Sequence, residues 1–186
     1  VNDGADAFPS EASQWVDQDG DGYGDNAAGT DPDACPTVAG TSTENNRLGC
    51  LDGDADGWAD VDDAFPAEIS QWADSDGDGY GDNPTGVNPD ACPTTNGASD
   101  EDRLGCTDSD GDGWSDGDAN WTAADGADLW PSDVTQWADS DGDGYGDNPA
   151  GTAGDACPST GGNSSVLRVL KVSVVVSKLP CLFFSK

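Results

Sequence analysis

Three stretches of this chain place aspartates at every second position and then a glycine: Asp17, Asp19 and Asp21 before Gly22; Asp74, Asp76 and Asp78 before Gly79; Asp139, Asp141 and Asp143 before Gly144. Alternate carboxylates at positions 1, 3 and 5 of a tight loop point inward at one spot. The glycine at position 6 supplies the positive φ that turns the loop back. The carbonyl at position 7 (Tyr23, Tyr80, Tyr145) and the carboxylate at position 9 (Asp25, Asp82, Asp147) then face the same centre. The donors are all oxygens, which selects a hard cation, and calcium takes six to eight of them in flexible geometry. A closing carboxylate is expected at Asp33, Asp90 and Asp155, after a short insertion in each loop.

A second kind of loop alternates with the first. Asp52, Asp54, Asp56, the Trp58 carbonyl, Asp60 and Asp63 follow D-x-D-x-D-G-x-x-D-x-x-D without a gap. Asp108, Asp110, Asp112, Trp114 and Asp116 repeat it, and an insertion at 117–127 delays the closing Asp128. Asp3 and Asp6 align with Asp60 and Asp63, so the chain opens on the end of a preceding acidic loop.

The elements that position these loops recur with them. Gln14-Trp15, Gln71-Trp72 and Gln136-Trp137 are 57 and 65 residues apart, and Cys35, Cys92 and Cys157 show the same spacings. Self-similarity at such periods marks a tandem repeat. The units read as 10–66, 67–131 and a partial 132–165, preceded by 1–9 and followed by a basic, apolar, β-prone tail at 166–186. The tail reads as an added strand for a neighbouring subunit, or else as an atypical capping end or a sequence error. No window keeps helical apolar periodicity over ten residues, because Pro, Gly and Asp interrupt each one. Loops and turns are expected, with short helical turns at most near 10–15, 67–72 and 132–137.

Composition excludes an ordinary core. Hydrophobic residues are 34%, glycines number 26 and the formal net charge is -32. A chain like this stays disordered unless something besides apolar burial orders it. All 38 acids lie at or before Asp155, beside only two of the six bases, Arg47 and Arg103. Nucleic acid is excluded for that region, since phosphate contacts need Lys and Arg. Its acids are aspartates locked to glycine at fixed offsets, unlike the scattered acidity of a merely solvated surface. The six cysteines recur in pairs, Cys35 with Cys50, Cys92 with Cys106 and Cys157 with Cys181, which implies disulfides and an oxidising compartment. No C-x-x-C or His supports zinc. No signal peptide or apolar span of membrane length is visible. Asn120-Trp121-Thr122 and Asn163-Ser164-Ser165 are N-glycosylation sequons.

Catalysis is not expected. Paired aspartates serve glycoside hydrolysis, but carboxylates committed to a cation must stay ionised. With no His, the usual general base and the Ser-His and Cys-His pairs are missing. The aromatic side chains Trp15, Trp72, Trp137, Phe8 and Phe65 read as packing plugs between ion-bound turns, with a carbohydrate groove as the other reading.

Taken together, D-x-D-G-D-G-x-G-D, Asp-Ala-Cys-Pro, Leu-Gly-Cys and the second acidic loop resemble thrombospondin type 3 repeats over 1–158. The resemblance implies a calcium-cored, disulfide-linked rod of tandem repeats with little regular secondary structure, holding about five or more Ca²⁺ through the aspartates named above. The chain departs from the family by the four or five residues inserted before Asp33, Asp90 and Asp155. Its long Gln-Trp spacers suggest a microbial form. The function expected is an extracellular stalk or filament subunit able to self-associate. The alternatives are a calcium-dependent adhesion module binding glycan or protein, and a spacer within a larger secreted protein.

Overall fold

The computed structural model describes residues 6–161. Among these residues there is no helix and no extended strand. Asp3, Asn163, Cys181 and the 166–186 tail lie outside the described residues. The chain divides into two compact units, Val1–Thr94 and Thr95–Lys186. The boundary falls inside the 67–131 sequence repeat.

The backbone is a succession of turns, for reasons visible residue by residue. At the Gln-Trp steps, two i to i+3 bonds bend the chain: Glu11 N–H to the Phe8 carbonyl and Gln14 N–H to the Glu11 carbonyl. Glu68, Gln71, Asp133 and Gln136 repeat them. These are successive turns that do not propagate into a helix. In each acidic loop the position 9 N–H donates to the carbonyl just before position 1, as Asp25 does to Val16 at 2.9 Å and Asp82 to Ala73 at 2.9 Å. Isolated parallel bridges join Gly24 to Pro32, Asp33 to Leu48, Gly81 to Pro89, Asp116 to Asp128 and Gly146 to Gly154. The Cys35–Cys50 disulfide closes the first connector, and Cys92, Cys106 and Cys157 are also disulfide-bonded.

The interior is polar. Among the described residues the buried hydrophobic side chains are only Cys50, Ala59, Cys106 and Ala127. The buried polar ones include Gln14, Gln71 and Gln136, Ser42, Ser99 and Ser115, and the carboxylates Asp33, Asp90, Asp128 and Asp155. Ser42 shows how such a group is accommodated. Its hydroxyl donates to the Arg47 carbonyl and accepts from the Cys50 N–H at 2.9 Å, and Ser99 repeats this with Arg103 and Cys106. Apolar contact comes instead from two parallel tryptophan pairs, one within each unit: Trp58 with Trp72, centroids 6.4 Å apart, and Trp114 with Trp137, 6.1 Å apart. Trp15 stays 40% exposed.

Candidate metal centre

Five aspartate triplets each bring three carboxylate oxygens within 4.8 Å of one another: Asp17, Asp19, Asp21; Asp52, Asp54, Asp56; Asp74, Asp76, Asp78; Asp108, Asp110, Asp112; and Asp139, Asp141, Asp143. Local bonding explains why like charges converge. The position 1 carboxylate accepts two backbone N–H groups, as Asp17 does from Gly20 at 2.7 Å and Gly22 at 3.1 Å. Asp74, Asp108 and Asp139 bond their loops in the same way. The position 5 carboxylate accepts from the amide two residues on, as Asp21 does from Tyr23 at 2.9 Å and Asp56 from Trp58 at 2.8 Å. Glycines at positions 4 and 6 carry the left-handed backbone these bonds demand, for example Gly77 at φ 80° and Gly79 at φ 95°.

Each triplet meets a further aspartate: Asp155 bears on Asp141, and the other four follow one pattern. Asp33 stands against Asp21, Asp19 and Asp25; Asp90 against Asp78, Asp76 and Asp82; Asp128 against Asp112, Asp110 and Asp116; Asp63 against Asp56, Asp54 and Asp60. All four carboxyls are pushed above their ordinary range, chiefly by burial and further by the neighbouring carboxylates; Asp128 reaches about 6. One oxygen of each accepts a backbone N–H two residues on: Cys35 at 2.7 Å, Cys92 at 2.6 Å, Trp130 at 2.7 Å and Phe65 at 2.7 Å. The second oxygens of Asp33, Asp90 and Asp128 are buried and accept no hydrogen bond. The same holds for both oxygens of Asp19 and for one oxygen each of Asp54, Asp56, Asp110, Asp112 and Asp141.

A buried carboxylate oxygen with no donor is costly unless a cation faces it. Among the described residues, side chains do not supply that cation. The two bases within residues 6–161 are Arg47 and Arg103, and they pair with Asp62 and Asp118, both at position 11 of a second-type loop. Arg103 also lies over the Trp121 ring, 5.3 Å from its centroid. The donor set is hard oxygen throughout, and these residues fit a metal ion of that class.

The position 9 aspartates behave differently from the triplets. Asp82 accepts the Ser75 N–H at 3.2 Å and the Ser75 hydroxyl at 2.5 Å, so both oxygens are engaged inside the loop. Asp147 is held by Ser140 in the same way, and Asp116 by Ser109. Asp25 and Asp60 accept the amides of Gln18 and Gly53. At this position the acid braces the loop, an arrangement compatible with contact to an ion through water. Asp6 bonds the Phe8 N–H at 3.0 Å, as Asp63 bonds Phe65. Asn120, in the insertion, is exposed, and its N–H donates to Asp118.

Three features escape a reading of spacing alone. Asp102 accepts both the N–H and the hydroxyl of buried Ser115, at 2.9 and 2.7 Å, and its charge acts on Asp112. Glu44 bears on Asp56 in the same sense. The buried glutamines bind the backbone that carries the closing aspartates; their one sequence signal is the constant nineteen-residue step from Gln14 to Asp33, Gln71 to Asp90 and Gln136 to Asp155. No protein-family model matches this chain, and no curated protein matches it.

Proposed function

We propose that this chain is a calcium-stabilised structural repeat of the thrombospondin type 3 kind, serving as an extracellular stalk or filament segment. The observation that carries this reading is the set of buried, donorless carboxylate oxygens facing five aspartate triplets, in a region whose two bases are engaged elsewhere. Calcium suits them better than magnesium. Each turn brings three carboxylate oxygens within 4.8 Å of one another, with a further aspartate beside them, whereas magnesium demands strict octahedral geometry and keeps its waters. Five divalent ions would move the formal charge from -32 to -22. Without them the triplets repel, so folding and metal binding are coupled. Affinities of about 10⁻⁴–10⁻³ M, usual for extracellular modules, would keep the loops filled in sea water or serum. Disulfides suit the same oxidising setting. Among the described residues no helix is long and apolar enough to cross a membrane.

The parallel stacking of Trp58 on Trp72 and Trp114 on Trp137 supports a packing role for these rings over a carbohydrate groove. Calcium titration tests the function, with far-ultraviolet dichroism, tryptophan fluorescence and particle size read on the same samples. Order and compaction that appear only with calcium support the metal-cored repeat. Growth of long particles at the same point supports the filament, and an unchanged size supports a monomeric spacer. No change between EDTA and excess calcium sinks the reading.

A further inference from the structure

Gln71 is 1% exposed, among the most deeply buried large side chains of its unit, and it is polar. Its three hydrogen bonds go to the backbone of one short excursion. Nε2 donates to the carbonyls of Asn83 at 3.1 Å and Val87 at 3.2 Å, and Oε1 accepts the Asn83 N–H at 2.9 Å. Ser70 completes the fastening: its carbonyl accepts from Asn83 Nδ2 at 2.8 Å and its hydroxyl oxygen from the Val87 N–H at 2.9 Å. Two glycines make room for the carboxamide. A Cβ on Gly81 would lie 2.1 Å from Oε1, and one on Gly86 would lie 2.5 Å from Nε2. Gln14 binds Asn26 and Thr30 in the same pattern, and Gln136 binds Asn148 and Thr152.

The excursion held in this way is the insertion that separates position 9 from the closing acid. Beyond it, Pro89 bridges to Gly81, the Asp90 N–H donates to the Gly81 carbonyl at 2.9 Å, and the Asp90 carboxylate stands against Asp78 and Asp76. An untethered segment would have to lose its backbone freedom each time the acid closed on an ion. The second-type loop from Asp52 reaches Asp63 with no excursion, and no glutamine lies between Cys50 and Asp63. Glutamine therefore accompanies the first-type excursion and not the acidic loop as such; the longer insertion of the Asp108 loop, at 117–127, closes without one.

Granted the calcium reading above, we propose that Gln14, Gln71 and Gln136 are positioning residues. Each sets the ion affinity of its own first-type loop by holding the excursion that delivers Asp33, Asp90 or Asp155. The test is a calcium titration of the isotope-labelled full chain by NMR. It follows the amides of Gly22, Gly57, Gly79, Gly113 and Gly144, one position 6 reporter for each loop. Gln71→Met keeps the length of the side chain and removes its hydrogen bonds. The expected result is a Gly79 midpoint raised about tenfold or more, the usual effect of losing an outer-shell partner. The other four midpoints should stay within about twofold, as distant sites do. A Gly79 shift no larger than those of the other amides overturns the proposal, and so does a uniform shift of all five. If Gln71→Met gives no dispersed spectrum at saturating calcium, Ser70→Ala carries the test. It removes the hydroxyl's bonds to the Val87 N–H and to the Glu68 carboxylate and leaves the Gln71 bonds in place, and a shift of about threefold to fivefold confined to Gly79 is expected; no selective shift overturns the proposal. If none of the five amides of the unsubstituted chain responds saturably, the calcium reading fails, and the positioning role falls with it.

Discussion

The N–H of Asp128 donates to the carbonyl of Ser115 at 2.9 Å across thirteen residues of chain. Asp33 makes the same bond to Gly24, Asp90 to Gly81 and Asp155 to Gly146, each across nine residues. Four loops of two kinds, with excursions of two lengths, end on one closure: the amide of the closing acid bound to the carbonyl at position 8. Loop length is a weak constraint thermodynamically, because closure entropy grows only slowly with it. The backbone bond returns the carboxylate to its triplet whatever is inserted before it.

The pH response should reverse sign with calcium. Burial raises the Asp128 carboxyl from 3.8 to about 6 in the metal-free protein, with the charges of Asp112, Asp110 and Asp116 adding to it. The folded state therefore binds the extra proton. Its contribution to stability is complete below 3.8 and is lost as pH rises towards 6. Burial raises Asp33, Asp63 and Asp90 in the same direction. Metal-free protein should thus lose thermal stability between about pH 4 and 6, whereas protein in excess calcium should gain it, because protons compete with the ion. Melting curves across that range in both conditions check this. Parallel pH slopes with and without calcium would count against carboxylates that exchange a proton for an ion.

Ala55→Gly should stabilise the loop that begins at Asp52. Position 4 is glycine in the other four loops, with φ between 75° at Gly142 and 84° at Gly20, while Ala55 is held at φ 66°. The left-handed region costs a residue with a Cβ roughly 1–2 kcal/mol. The greater freedom of glycine in the unfolded chain returns roughly 0.4–1 kcal/mol of that. A net gain of about 0.5–1 kcal/mol is expected in saturating calcium, read as a higher melting temperature. Gly77→Ala should lose a similar amount. A melting point that falls on Ala55→Gly contradicts the assigned backbone geometry.

Removing the Cys35–Cys50 bridge, by replacing both residues with serine, should destabilise the first unit. The bridge closes a separation of 15 residues, worth about 3 kcal/mol in the chain-entropy treatment. The connector it closes also touches the first acidic site. The Gly40 N–H donates to Asp21 Oδ2 at 3.0 Å, and a Cβ on Gly49 would lie 2.5 Å from Asp33 Oδ1. Calcium affinity at the Gly22 loop should therefore weaken along with stability. Chemical denaturation and a titration followed at the Gly22 amide measure the two effects. Lost stability with unchanged affinity at Gly22 would separate the bridge from the site.

The spacing of the sequence by itself determined the chemistry of this protein. Alternating aspartates before a glycine force side-chain to amide bonds over two to five residues, and such bonds need nothing beyond their own loop. The five triplets, the left-handed glycines and the lack of an uninterrupted helical stripe were legible for that reason. What lay further apart along the chain needed the tertiary structure. Gln71 gives no local sign that its amide would be buried against residues 83 and 87, since those partners are 12 and 16 positions away. Trp58 and Trp114 read locally only as carbonyl donors, and their stacking on Trp72 and Trp137 depends on how consecutive turns are laid down. The bracing of Asp82 by Ser75 likewise depends on the closed loop. Local spacing chose the carboxylates that cluster; long-range hydrogen bonds, among described residues with almost no apolar core, decided which backbone segments hold them in place.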